Sequence, residues 1–171
     1  MQLEPRSPRN PPSPIEPTGF FTGLQVRPII VGVVVDYIAT YAAMYAYIFF
    51  YLSNRLSEKG EVSGEAISEY LASPEGLLVG FIIGALCTVM GGFVAGRKAG
   101  RLEVKHGAFV GVGSLIVSAV EQSISGEIVL TPEWFRVLSY IAIIPAGALG
   151  GYIAGRFREL MVSSPTAYRP R

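Results

Sequence analysis

The sequence predicts an all-α integral membrane protein: a four-helix bundle of two pseudo-repeated helical hairpins, with both chain ends in the cytoplasm. Three observations predict it. Half of the 171 residues are hydrophobic and only 16% are charged, against roughly 25% in ordinary soluble domains. The apolar residues are gathered into four blocks, each extensible to the ~20 helical residues that cross a hydrocarbon core. Most of the basic residues flank those blocks on one side, as they do in cytoplasmic segments.

Residues 1–28 carry seven prolines, Pro5, Pro8, Pro11, Pro12, Pro14, Pro17 and Pro28. They contain no long apolar core followed by a small-residue cleavage site, so a secretory signal peptide is not expected. The composition reads as a disordered, partly polyproline cytoplasmic tail. Arg6-Ser7-Pro8 and Pro11-Pro12-Ser13-Pro14 have the form of docking or phosphorylation sites, a use that competes with a plain tether.

The transmembrane domain is expected over 29–156. Its first span, 29–52, holds one charge, Asp36. The second, 75–96, is uncharged after Glu75. The third is the shortest: Gly107 to Val120 is apolar, and extension to 104–122 places Lys105, His106 and Glu121 at the interfaces. The fourth, 134–155, holds only Arg136, near an end where a long side chain reaches the headgroups. Residues 157–171 form the cytoplasmic C-terminal tail.

Four spans leave five flanking segments. The two tails and the 97–106 connection hold eleven basic residues: Arg6, Arg9, Arg27, Arg97, Lys98, Arg101, Lys105, Arg156, Arg158, Arg169 and Arg171. The opposite side holds three, Arg55, Lys59 and Arg136. This asymmetry places both termini on the cytoplasmic face of a cell membrane.

Two stretches match. Ser73-Pro74-Glu75 opens the second span and Thr131-Pro132-Glu133 the fourth. Each offers a hydroxyl N-cap, proline at the first helical position and glutamate at the positive end of the dipole. Gly91-Gly92-Phe93-Val94-Ala95-Gly96-Arg97 and Gly150-Gly151-Tyr152-Ile153-Ala154-Gly155-Arg156 close them alike. Two spans running in one direction with the same start and end imply a parallel repeat of hairpins.

Small residues recur every fourth position: Gly80, Gly84, Thr88, Gly92 and Gly96 in the second span, Gly107 and Gly111 in the third, and Gly147, Gly151 and Gly155 in the fourth. Such ridges let membrane helices approach closely. They serve either packing within one chain or assembly of several chains, as homo-oligomers or with other membrane proteins. Pro145 interrupts the fourth span and is expected to bend it.

Asp36 is the clearest candidate for chemistry. A carboxylate inside the bilayer is costly and has to face protein or water. Thr40, Ala43 and Tyr47 follow on its helical face, and Tyr37, Tyr41 and Tyr45 run beside it. That stripe suits either a proton or solute path or an interhelical hydrogen-bond ladder with Asp36 protonated or paired to Arg97 or Arg156. Glu121 is expected near the outer surface, toward the opposite side of the membrane from Asp36, so no carboxylate pair for acid–base catalysis is read. His106, the single histidine, falls in the basic connection, and lone Cys87 lies in an apolar run, so no metal centre or cofactor is expected. No nucleophile has a base at readable spacing, so an enzyme is not expected. An intramembrane enzyme would require a second polar group facing Asp36 at its own depth. Arg97, Lys98, Arg101 and Lys105 form a basic cluster suited to anionic lipid headgroups, although topology alone accounts for it. A net charge of +1 gives no case for nucleic acid. On the far side, 64–72 is expected to form a short surface helix presenting Ile67, Tyr70 and Leu71.

The run from Gly91-Gly92-Phe93-Val94-Ala95-Gly96-Arg97 through His106-Gly107-Ala108-Phe109-Val110-Gly111 resembles small four-span prokaryotic membrane proteins of uncharacterised function. These share a Gly-Gly-aromatic-x-Ala-x-Arg helix end, a short basic loop and a His-Gly-Ala entry to the next span. The resemblance covers about a quarter of the chain, leaving out the proline-rich tail and the long acidic loop. It implies the four-span topology and a prokaryotic cytoplasmic membrane, and no activity. The sequence therefore predicts a structural or accessory membrane subunit associating through glycine faces; the alternative is a small transporter or channel protomer with Asp36 lining its path.

Overall fold

The computed structural model describes residues 19, 21–58, 60, 63–125 and 131–162. The Ser-Pro motifs of the N-terminal tail and the end of the C-terminal tail lie outside the described residues. Among the described residues there is no strand, and four helices are long and apolar enough to cross a membrane.

The first, α1, runs Val26–Glu58 with a π turn at Ile48–Leu52. Pro28 stands in its first turn, where a missing N–H breaks no helical bond. The π turn carries the Ser53 hydroxyl donating to the Ile48 carbonyl at 2.9 Å. A short helix, α2, spans Gly64–Ala72, with Ser63 as N-cap accepting from the Ala66 N–H. Next comes α3, Pro74–Ala99, capped by the Ser73 hydroxyl at the Gly76 N–H (3.2 Å) with Pro74 at its start. It stops at Gly100, whose φ of +65° is the left-handed conformation that closes helices. Helix α4, Glu103–Ser125, follows at once. The expected 97–106 connection is thus helix at both ends and turn only at 100–102. Finally α5, Glu133–Val162, continues well past the expected span end at 155 and is helical through Pro145. Its last turns are held by Arg158, which forms a 2.5 Å ion pair with Glu103 and donates to the Gly100 carbonyl.

Helices α3 and α4 lie in the middle, each touching the other three, while α1 and α5 occupy opposite corners. Apart from Leu52 and Leu56 near the end of α1, most of the buried side chains are small or polar, among them Asp36, Thr88, His106 and Ser114 beside Ala95, Val110 and Ala154. Large apolar residues such as Ile38, Ile82, Leu86, Ile116, Leu138 and Ile141 are exposed. A soluble domain does the reverse. This arrangement suits a lipid solvent, which rewards close backbone approach rather than burial of leucine.

Glycines make that approach in the half of the bundle nearest the 100–102 turn. A Cβ on Gly32 would lie 2.6 Å from Val110 Cγ2 and 2.7 Å from the Gly91 carbonyl. One on Gly91 would lie 2.6 Å from the Gly32 carbonyl, and one on Gly111 2.6 Å from the Ile143 carbonyl. Gly92 backs onto Gly147, and Gly107 onto Gly147 and Gly151. Gly96 meets Gly151 and Ala154 at 3.1 Å, whereas Gly155 has only ordinary contacts with Glu103. The same ridge changes use further along α3. Gly80 and Gly84, expected to pack a helix, have no neighbour within 4 Å of a Cβ position. They border a cavity instead. Gly80→Ala and Gly84→Ala are accordingly expected to fold as well as the parent, with up to about 1 kcal/mol gained from helix propensity. Gly92→Ala should lower the midpoint clearly; thermal melting in detergent ranks the three, and equal losses would show that the cavity side is packed after all.

Candidate functional site

The cavity encloses about 670 Å³ in the half of the bundle nearest α2. All four long helices contribute walls, from Asp36 to Ile48 on α1, Leu77 to Thr88 on α3, Ser114 to Gln122 on α4 and Phe135 to Ile143 on α5. Its floor is a polar layer one turn from the glycine crossing of Gly32 and Gly91.

Asp36 is that floor, 4% exposed. Helix α1 starts at Val26, so ten residues at 1.5 Å place Asp36 about 15 Å along it. Neither Arg97 nor Arg156 reaches it. Its partners are hydroxyls. Ser114 Oγ donates to Oδ2 at 2.6 Å, Thr88 Oγ1 stands 3.1 and 3.2 Å from the two carboxylate oxygens, and Thr40 Oγ1 approaches Oδ1 at 3.5 Å. Among the described residues no lysine, arginine or histidine forms an ion pair with Asp36.

Thr88 has one hydroxyl proton and two claims on it, since its Oγ1 is also 3.0 Å from the Gly84 carbonyl. The layer thus accommodates two states without moving a heavy atom. Thr88 donates to an ionised Asp36; a protonated Asp36 donates to Thr88, whose own proton then turns to Gly84.

The tyrosine stripe of α1 divides in two. Tyr37, Tyr41 and Tyr45 line the cavity, their rings 6.0 and 6.5 Å apart in sequence. Tyr37 donates to Glu121 at 3.2 Å and lies 3.4 Å from the Ser118 hydroxyl, and Tyr41 also donates to Glu121. Glu121 and Asp36 border one cavity at different heights. Ser114, bonded to Asp36, and Glu121 are seven residues apart on α4, about 10 Å along the axis. Tyr47, grouped with Asp36 by helical spacing, belongs elsewhere. Its hydroxyl meets that of Tyr70 at 2.7 Å, tying α1 to α2. Burial and that hydrogen bond hold the Tyr70 phenol above its ordinary pKa, so it remains a neutral donor. Arg55 and Glu75 join α1 to α3 at the same end, 2.7 Å apart.

The basic cluster faces the other way. Arg97 lies 5.6 Å over the Phe157 ring. Lys98 and Arg101 are exposed, and Lys105 is half-buried in α4.

His106 is not in a loop. It is fully buried in the first turns of α4, its Nε2 accepting the Gln25 N–H at 2.9 Å and its Nδ1 3.0 Å from the Leu102 carbonyl. An acceptor at Nε2 and a donor at Nδ1 define the neutral Nδ1–H tautomer. Gln25 is the N-cap of α1 and gives it no side-chain cap. His106 satisfies from another helix the backbone N–H of the N-cap residue itself. Among the described residues no three His, Cys, Asp or Glu side chains cluster as a metal site would require.

No protein-family model, curated protein or solved structure matches the chain.

Proposed function

We propose that this protein is a small multi-pass transporter or channel protomer whose vestibule receives a solute, with Asp36 as its charged floor. The observation that carries the reading is a large cavity ending on a buried carboxylate that, among the described residues, no positive side chain neutralises. Ionisable groups within a membrane domain mark ion and solute pathways. The half beyond Asp36 is closed by the glycine crossings, as an access-limited path requires.

The chain is placed in a prokaryotic cytoplasmic membrane with both termini inside, on the eleven-to-three distribution of basic residues and the partial resemblance of its middle spans. The vestibule then faces outward. The matching sequences before and at the ends of α3 and α5, Ser73-Pro74-Glu75 with Thr131-Pro132-Glu133 and the two glycine-rich endings, support an origin by duplication of a hairpin. The reading is non-enzymatic. Ser114 and Thr88 do face Asp36 at its own depth, the condition set for an intramembrane enzyme, but as neutral hydrogen-bond partners without a histidine or lysine beside them. The glycines of the crossings pack against helices of the same chain, while Gly80 and Gly84 border the cavity, so an accessory subunit that joins partners through its glycine faces is the second reading.

The test is flux in proteoliposomes containing a pH-sensitive dye, driven by an imposed proton gradient. Asp36→Asn keeps the shape and removes the charge, and flux is expected to fall at least tenfold. Flux equal to the parent would remove Asp36 from the path.

A further inference from the structure

We propose that the vestibule takes an organic monocation with an aromatic or branched apolar body, its positive end seated at Asp36. This rests on the solute-receiving reading above and names the chemistry of the solute.

Size, wall chemistry and charge converge on that class. A volume of about 670 Å³ lies within the range of small-molecule pockets. The walls present Tyr37, Tyr41, Tyr45, Phe81, Phe135 and Tyr140, ring faces that attract cations and pack apolar groups. The electrostatics are one-sided at the floor. Among the described residues Asp36 is held only by neutral hydroxyls, and Glu121 adds a second carboxylate to the wall. Arg136, the basic side chain of the lining, lies 3.9 Å from Glu133. An anion would meet two carboxylates without a matching cation at the floor.

A bare metal ion fits poorly. Hard cations need about six oxygen ligands, and the floor offers one carboxylate whose hydroxyl neighbours point their protons at it. A weakly hydrated organic cation needs no such cage. It loses little on leaving water, and its charge offsets the cost of an ionised Asp36 within the bilayer.

The test uses the full chain in detergent with two probes of the same shape and opposite charge, tetraphenylphosphonium and tetraphenylborate. In a Cys87→Ser background, Ser139→Cys puts a single thiol on the cavity wall. A water-soluble maleimide is expected to label it. Phosphonium should protect it and borate should not, and Asp36→Asn should weaken phosphonium protection at least tenfold. If Asp36→Asn fails to fold, Gly84→Phe, which fills the cavity beside Asp36, is expected to abolish protection instead. Labelling with protection by both probes, by borate alone or by neither overturns the cation class and leaves the vestibule standing. So does protection unchanged by either variant. A thiol that stays unlabelled overturns the vestibule itself.

Discussion

Gly147→Val is expected to prevent the bundle from forming. Gly147 is where three helices meet: a Cβ on Gly92 would fall 3.0 Å from the Gly147 Cα, and one on Gly147 itself 3.0 Å from the Gly111 N. It backs onto Gly107 as well. The obstacles to a side chain on Gly147 are backbone atoms of α4, so no rotamer relieves them, and α5 has to retreat from α4, which disturbs its crossing with Gly92 of α3 as well. Overpacking a well-filled interior costs about 1–3 kcal/mol and more when backbone must move; a β-branched side chain at this junction belongs at or above the upper end. Fluorescence-detected size exclusion of the detergent extract checks it, with loss of the monodisperse peak as the expected result. Gly80→Val is the control, since its added methyls enter the cavity. A normal peak for Gly147→Val would mean that α5 is not packed where these distances place it.

His106→Ala should produce the second largest loss, about 2–4 kcal/mol, from a lost hydrogen-bond acceptor and a hole where a fully buried ring had been. The Gln25 N–H is left with no acceptor at the start of α1. The Leu102 carbonyl is less affected, because it also accepts the His106 backbone N–H at 3.0 Å. The damage therefore concentrates on α1. Hydrogen exchange should show the first turns of α1 opening while the Gly92–Gly147 crossing stays protected. His106→Gln, whose side-chain oxygen is an acceptor, should recover part of the loss. Uniform loosening of all four helices would contradict a local staple.

The four helices were legible in the sequence because the bilayer imposes a length and a composition on any segment that crosses it. Their ends were less so. The turn at 100–102 hides in a basic stretch that reads as a loop, and the shift of a few residues moved His106 from solvent to the interior. The glycine ridge was equally visible and half misread. A four-residue period says that one face is smooth, but not whether that face meets a helix, as at Gly92, or a void, as at Gly84. Asp36 announced itself by its cost in lipid. Its partners did not, because Thr88 and Ser114 reach it across helices, and relative height between separate helices leaves no periodic trace. Tyr47 shows the limit of spacing alone: it shares a face with Asp36 yet bonds to a different element.

The turn at 100–102 has a mechanical corollary. Only three residues join α3 to α4, and both sit at the centre of the bundle, so the pair behaves as one strut. Asp36 stands on α1, outside that strut, while Thr88 and Ser114 belong to it. On the transport reading proposed above, the contacts between them act as a latch: they are the ones that have to break if α1 moves against the strut.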